Sequence, residues 1–159
     1  MASSQGKIYA KKRQQFKTLF ISEDNHVEFE LTRQEVYNAI SGSDMLLKQG
    51  KIQPAALAQT RIYPRTAIAL DKTETTLIIV VVDGKQPSYS EGVNLLELTK
   101  IIQRYGGDTA LNLDGGGSST LVIQNQDGQA QVLNSPSHHR IPGRERPVAN
   151  HLGIRITLH

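Results

Sequence analysis

The sequence predicts an α+β fold, a mixed β-sheet with at least two helices packed on it. Three observations support this prediction. Short apolar runs bounded by turn residues recur along the chain, and one of them, Leu77–Val82, is apolar at every position. Residues 94–105 carry an apolar stripe at helical spacing. The strand–helix–strand stretch from 77 to 113 is long enough to join two parallel strands by a right-handed crossover.

The first half of the chain is predicted to form short strands around one helix. The strands cover residues 7–10, 16–21, 26–31 and 45–48. Thr32 and Glu35 have the spacing of a capping box, and Gly42 follows Ile40 where a helix would end, so the first helix is predicted between these signals. Residues 51–64 contain two prolines and are predicted to be irregular.

The second half holds the clearest elements. Residues 66–70 and 77–82 are predicted to be strands joined by a polar hairpin, and the second strand, which has no polar face, is expected to be covered on both sides. Asn94 and Glu97 have capping-box spacing at the start of the second helix, and Gly106 ends it. Shorter strands are predicted at 110–113, 121–124, 131–133 and 152–158.

Length and composition exclude several classes of protein. The 159 residues suit one domain, and 38% hydrophobic residues suffice for a core. Without cysteine the chain has no thiolate metal site and no cysteine nucleophile. With a net charge of +3, five Tyr, three Phe and no Trp, it offers little to nucleic acid. Its apolar runs are too short to span a membrane and it shows no signal peptide, so we expect an intracellular chain, or an exported one whose start is missing.

The segment that points most clearly to chemistry is Asp114-Gly115-Gly116-Gly117-Ser118-Ser119, which follows an apolar strand. Glycines let a ligand approach the backbone, successive N–H groups bind anions, and the hydroxyls add donors. Asp114 can act as a general acid or base, or as a ligand of a divalent cation. Thr120 stands where a dinucleotide or serine-hydrolase motif needs glycine, and no lysine follows as a P-loop requires. A tight glycine-rich hairpin is the alternative, and the residues alone leave both interpretations open.

Asp83 is the second candidate carboxylate. It follows the strand 77–82 in an Asp-Gly pair, which is most often only a turn. If that strand lies beside the strand 110–113, however, Asp83 comes near Asp114. Two carboxylates at neighbouring strand ends are the arrangement that glycosidic hydrolysis uses.

Two arginines are candidates for binding an anion. Arg65 precedes a buried strand, where its guanidinium can grip two phosphate oxygens, and a surface salt bridge is the alternative. The segment 143–150 contains Arg146 and ends at Asn150, and it is either part of the same site or a charged loop before the last strand. The adjacent pair His138-His139 is predicted to be at the surface, because no third ligand stands at metal spacing.

Six segments occur in the order found in phosphodiester glycosidase domains, and the sequence resembles this family over residues 62–156. The most specific is the Asn-Leu-Asp-Gly-Gly-Gly-Ser-Ser string at 112–119; the others lie at 65–68, 81–84, 91–98, 134–137 and 145–150. The resemblance implies hydrolysis of the bond between the anomeric carbon of a sugar, such as N-acetylglucosamine, and a phosphodiester oxygen. We expect Asp114 and Asp83 to be the catalytic carboxylates of such a site, and Arg65 and Arg146 to hold the phosphate.

The front of the family domain has no counterpart in this sequence. Domains of this family usually begin with a half that contains an Asn-Gly-Gly-Phe-Phe-like strand and turn. We therefore expect residues 1–159 to form a single domain that resembles the C-terminal portion of the family domain. The predicted substrate is a sugar phosphate or polysaccharide bound by Arg65, residues 115–119, Arg146 and Asn150. The alternative is a non-catalytic carbohydrate- or anion-binding remnant of such a domain.

Overall fold

A computed structural model describes residues 1–11, 16–30 and 36–155. Two α-helices and twelve strands are found in this part of the chain. They are β1 (Ala2–Ser4), β2 (Lys7–Ala10), β3 (Lys17–Ile21), β4 (Val27–Glu28), β5 (Asn38–Gly42), β6 (Asp44–Lys48), β7 (Lys51–Ile52), α1 (Pro54–Ala58), β8 (Arg65–Asp71), β9 (Leu77–Val82), α2 (Leu95–Arg104), β10 (Gly107–Asn112), β11 (Val122–Gln124) and β12 (Ala130–Val132). No helix in the described residues is long and apolar enough to cross a membrane.

The strands form two five-stranded sheets and one separate hairpin. Sheet A has the order β2-β1-β5-β3-β4, sheet B has the order β7-β6-β10-β8-β9, and β11 pairs with β12. Sheet B is the middle layer. On one face it packs against α1 and α2 through a cluster that includes Ala67, Ala110 and Leu98. On the other face it packs against sheet A through Leu19, Ile68 and Leu111.

The predicted helix at 94–105 is confirmed as α2. The side chain of Asn94 accepts a hydrogen bond from the backbone N–H of Glu97 at 2.9 Å, and the Glu97 carboxylate accepts one from the backbone N–H of Asn94 at 2.9 Å. This capping box satisfies two helix N–H groups that would otherwise lack partners. Leu95, Leu98 and Ile102 are fully buried against sheet B, so the stripe seen in the sequence is the face that holds the helix.

The α+β prediction is wrong, because the protein is mostly β and α2 is its one long helix among the described residues. The predicted first helix ends in residues that form β5, where Ala39 and Ile40 pair with both β1 and β3. Gly42 is not a helix cap: a Cβ at this position would lie 2.1 Å from the carbonyl oxygen of Asn112. Glycine is required at position 42 because the two sheets approach each other closely there. The predicted cap residues Thr32 and Glu35 lie outside the described residues.

The sheet is also not mixed, since every ladder between described strands is antiparallel. The strands β9 and β10 do run in the same direction, as the crossover prediction requires, but β8 lies between them. The strand β9 is the edge strand of sheet B and Ile79 is 40% exposed, so the prediction that it is covered on both sides is wrong. Of the strand predicted at 152–158, residues 152–155 have no regular structure and the remainder lies outside the described residues.

Candidate active site

Three chain segments meet at one end of sheet B. The strands β9 and β10 end there, and β8 begins there, because Arg65 pairs with Val82 and Leu113 donates its N–H to the carbonyl of Thr66. Antiparallel pairing on both sides of β8 therefore places the segment 63–65 between the turn after β9 and the turn after β10. These three segments carry the predicted side chains of Arg65, Asp83 and Asp114.

Glycines bring the three segments into backbone contact at Pro64. Gly116 donates its N–H to the Pro64 carbonyl at 2.9 Å. A Cβ on Gly115 would lie 2.7 Å from that carbonyl oxygen, and a Cβ on Gly84 would lie 2.7 Å from the Pro64 nitrogen. Side chains at either position would push the segments apart, so these two glycines are required for close packing.

Asp114 lies on the exposed side of this contact. One carboxylate oxygen accepts a hydrogen bond from the N–H of Gly115 at 2.9 Å, and the other accepts one from Nη2 of Arg146 at 3.0 Å. Arg146 also donates from Nε to Oγ of Ser118 at 2.9 Å. The structure therefore brings three predicted residues together. The Asp114 side chain is 76% exposed, so reactants can reach it.

The glycine segment forms a tight turn that uses most of its own donors. Residues Gly116–Ser118 form a single 3₁₀ turn, in which Ser118 and Ser119 donate their N–H groups to Gly115 and Gly116. Ser119 is buried, and its hydroxyl accepts a hydrogen bond from that of Thr66 at 3.2 Å. The polar side chains that this turn contributes to the site are therefore those of Asp114 and Ser118, while the buried Ser119 stabilises the turn.

Asp83 has different surroundings from Asp114. Its carboxylate accepts hydrogen bonds from the Tyr89 hydroxyl at 2.9 Å, from Nδ2 of Asn134 at 2.8 Å and from the N–H of Ser135 at 2.9 Å. The hydrogen bond and the negative charge of Asp83 raise the pKa of Tyr89. Asp83 thus joins the end of β9 to the loop at 134–137, and β8 separates it from the turn that carries Asp114.

Arg65 belongs to a cleft at the same end of the sheet. The cleft has a volume of about 600 Å³, and its lining includes Arg65, Asp114, Gly115 and Asn150. The Arg65 guanidinium donates from Nε to the carbonyl of Val93 at 3.2 Å and from Nη2 to that of Arg61 at 2.8 Å. Burial lowers the pKa of Arg65, and the nearby Tyr63 and Asp44 oppose this effect.

His138 packs against the glycine turn. A Cβ on Gly117 would lie 3.1 Å from Nδ1 of His138, so the third glycine leaves room for this ring. Burial lowers the pKa of His138, and the charges of His139, Arg144 and Arg146 lower it further. His139 is exposed, as the sequence predicts, whereas His138 is partly covered.

Comparison with known proteins identifies the family. A family model described as phosphodiester glycosidase matches residues 1–155. The chain belongs to the phosphodiester glycosidase family. This confirms the resemblance seen in the sequence, and the match extends well ahead of residue 62.

Two relatives show how much of a phosphodiester glycosidase this chain represents. The Bos taurus N-acetylglucosamine-1-phosphodiester alpha-N-acetylglucosaminidase is 29% identical over 138 residues, which cover 77% of this chain and 24% of that protein. A solved structure of the zebrafish N-acetylglucosamine-1-phosphodiester alpha-N-acetylglucosaminidase catalytic domain, auto-inhibited by its pro-peptide, is 27% identical with a TM-score of 0.64. That match covers 92% of this chain and 53% of the zebrafish chain. This chain therefore spans about half of the zebrafish structure and about a quarter of the bovine protein.

Sequence reasoning missed two side chains at this end of the phosphodiester glycosidase fold. Asn112 is 4% exposed, lines the cleft and donates from Nδ2 to Oγ of Ser43 at 2.9 Å, while its Oδ1 has no partner in the described residues. Lys85 places its Nζ over the ring of Tyr63. Asn112 belongs to the Asn-Leu-Asp string, and Lys85 follows the Asp-Gly pair. Their closeness in sequence to predicted residues was the signal that could have identified them. Within residues 1–11, 16–30 and 36–155, no group of three histidine or carboxylate side chains is placed to hold a metal ion.

Proposed function

We propose that this chain contributes the carboxylate end of a phosphodiester glycosidase site and hydrolyses the glycosidic bond of a sugar-1-phosphodiester. One observation carries the proposal. The exposed carboxylate of Asp114, held by Arg146 and the N–H of Gly115, lies at a cleft that also contains Arg65. A proton-transferring group beside a cation is what this reaction requires. Family membership supports the same substrate class.

In this proposal Asp114 takes the proton of the water whose oxygen bonds to the anomeric carbon. The bond between that carbon and the bridging oxygen breaks, and its electron pair stays on the phosphate. A free sugar and a phosphate monoester result. The phosphate gains negative charge as it leaves, so a cation at Arg65 stabilises the transition state more than the substrate. Arg146 holds the Asp114 carboxylate in place through its hydrogen bond.

We assign Asp83 to the same site as a positioning residue. Both of its oxygens are engaged by three donors, and its contacts hold the loop at 134–137 against the end of β9. That loop leads into the segment that carries Arg146. Gly115 and Gly117 support the proposal by letting the Asp114 turn approach Pro64 and His138 closely. Gly116 adopts a positive φ and donates its N–H to Pro64, and Asn150 lines the cleft.

The second candidate is binding of a sugar or anion without hydrolysis. The observation that favours it is coverage, because 53% of the zebrafish catalytic-domain chain is matched and the unmatched part has no counterpart among these residues. The two candidates share the cleft and differ in whether the substrate bond breaks.

The test is an assay of this chain on N-acetylglucosamine-1-phosphodiester substrates, with release of free sugar as the readout. It is run with added divalent cation and with chelator, because a cation ligand at Asp114 is one of the predicted roles. Turnover that is lost in Asp114→Asn supports the hydrolase. Binding of the substrate without any release of sugar supports the second candidate instead.

A further inference from the structure

Two cationic side chains lie near the ring of Tyr63. Nζ of Lys85 lies 4.2 Å from the ring centroid, and Cζ of Arg65 lies 5.4 Å from it. The two positive charges are therefore within about 10 Å of each other. In the described part of the chain, no carboxylate forms a salt bridge with either one. Asp44 acts on the charge of Arg65 from beyond salt-bridge distance, and two neighbouring cations that no described carboxylate contacts directly favour an anion.

The position of Lys85 is built into the backbone. A Cβ on Gly84 would lie 2.7 Å from the Pro64 nitrogen, and a Cβ on Gly92 would lie 2.4 Å from the Tyr63 carbonyl oxygen. These glycines let the segments on either side of Lys85 pack directly on residues 63–64. Lys85 itself has φ of +58°, which is uncommon for a side chain of this kind. Close packing thus fixes the backbone on both sides of Lys85, whose ammonium lies over the ring.

Both cations keep donors for a ligand. Arg65 uses Nε and Nη2 for the carbonyls of Val93 and Arg61, whereas a guanidinium has five N–H donors. The ammonium of Lys85 has three donors, and its contact in the structure is with the face of the Tyr63 ring. Each of the two side chains beside Tyr63 therefore retains donors that an oxyanion can use.

We propose that Tyr63, Arg65 and Lys85 form a subsite for the phosphate group of the substrate. This inference rests on the proposed function and gives the substrate a direction. Arg65 belongs both to this subsite and to the cleft with Asp114, so the phosphate lies on the Lys85 side of the segment 63–65 and the sugar lies on the Asp114 side. A phosphodiester has two non-bridging oxygens that share one charge, and each cation takes one of them.

The experiment titrates the full chain with inorganic phosphate and with a sugar 1-phosphate, and follows binding by calorimetry and by the NMR signals of the Tyr63 ring. Lys85→Gln is expected to weaken phosphate binding about tenfold or more, whereas Lys85→Arg stays within about threefold. Lys100→Gln is the matched control, because Lys100 is an exposed lysine on α2 away from this end of the sheet. Equal affinity in Lys85→Gln and wild type, or no binding of phosphate at millimolar concentrations, overturns the subsite.

Two further measurements keep the outcome independent of folding and of catalysis. Tyr63→Leu removes the ring but keeps the backbone hydrogen bonds to Val93, and it should also weaken phosphate binding, with melting temperature as the check on folding. In the hydrolysis assay, Lys85→Gln should raise KM more than it lowers kcat. Phosphate binding that depends on Lys85 without turnover refutes the proposed function and leaves the subsite standing. Turnover with an unchanged KM in Lys85→Gln refutes the subsite alone.

Discussion

Replacement of Asp114 by Asn separates catalysis from stability at this site. The ion pair with Arg146 is solvent-exposed, with side-chain exposures of 76% for Asp114 and 37% for Arg146. Such pairs contribute roughly 0–1 kcal/mol to the free energy of unfolding. Asn keeps an amide oxygen that can still accept the hydrogen bond from Gly115, so the turn loses little. For a domain of this size 1 kcal/mol corresponds to a shift of about 2–4 °C, and we expect a lower melting temperature by no more than that.

The expected loss of activity is much larger. A group that transfers a proton in the transition state contributes roughly 10²–10⁴ in rate, so Asp114→Asn should reduce sugar release from a phosphodiester by that factor. Asp127→Asn is the control, because Asp127 lies in the turn between β11 and β12, away from the cleft. Sugar release within a few-fold of wild type in Asp114→Asn would show that Asp114 is not the proton-transferring group. Loss of activity together with a collapse in melting temperature would show that it serves the fold.

Three further predictions concern residues around Asp114. Arg146→Lys should weaken phosphodiester binding measured by calorimetry while the melting temperature changes by a few degrees at most, because one ammonium cannot contact both Asp114 and Ser118 as the guanidinium does; unchanged affinity would make Arg146 a structural charge. Gly116→Ala and Gly106→Ala should cost similar stability, about 1–2 kcal/mol each, since both have positive φ and open space at Cβ, but only the first should reduce ligand affinity. The pKa of His138, measured by NMR, should lie below the usual value of about 6.5. Because the unfolded chain then binds more protons than the folded one, this residue should lower the free energy of unfolding as the pH falls through about 6.5 toward its folded pKa. Arg144→Gln should raise the pKa of His138, because it removes one of the positive charges that lower it.

Elements of the fold that are determined by residues close in sequence were predictable, whereas those determined by pairing with distant strands were not. The capping box of α2 is written within four residues, Asn94 to Glu97, so the sequence displays it. The strand β5 resembles a helix end in sequence, yet pairing with β1 and β3 decides its conformation. The apolar run of β9 predicts burial on both faces, but sheet order places it at the edge. Sheet order is a long-range property that no local pattern contains.

The same distinction between local and long-range features applies to the residues of the candidate site. The motif residues Asp114 and Arg146 were found from the sequence, and the structure joins them by a hydrogen bond although they are 32 positions apart. The expected pairing of Asp83 with Asp114 assumed adjacent strands, and β8 separates those strands. Lys85 was missed because its significance comes from the ring of Tyr63, which only close packing of Gly84 and Gly92 brings within reach.

The edge position of β9 makes this strand a reporter of ligand occupancy. In the described part of the chain, β9 forms a ladder with β8 on one side only, so its outward amides exchange with solvent more readily than those of β8 or β10. The turn that carries Lys85 follows directly from this strand, while Arg65 begins β8. A phosphate that bridges the two side chains would fasten the end of the edge strand to its neighbour. Slower amide exchange along residues 77–85 would then record binding at a distance from the carboxylate that performs the chemistry.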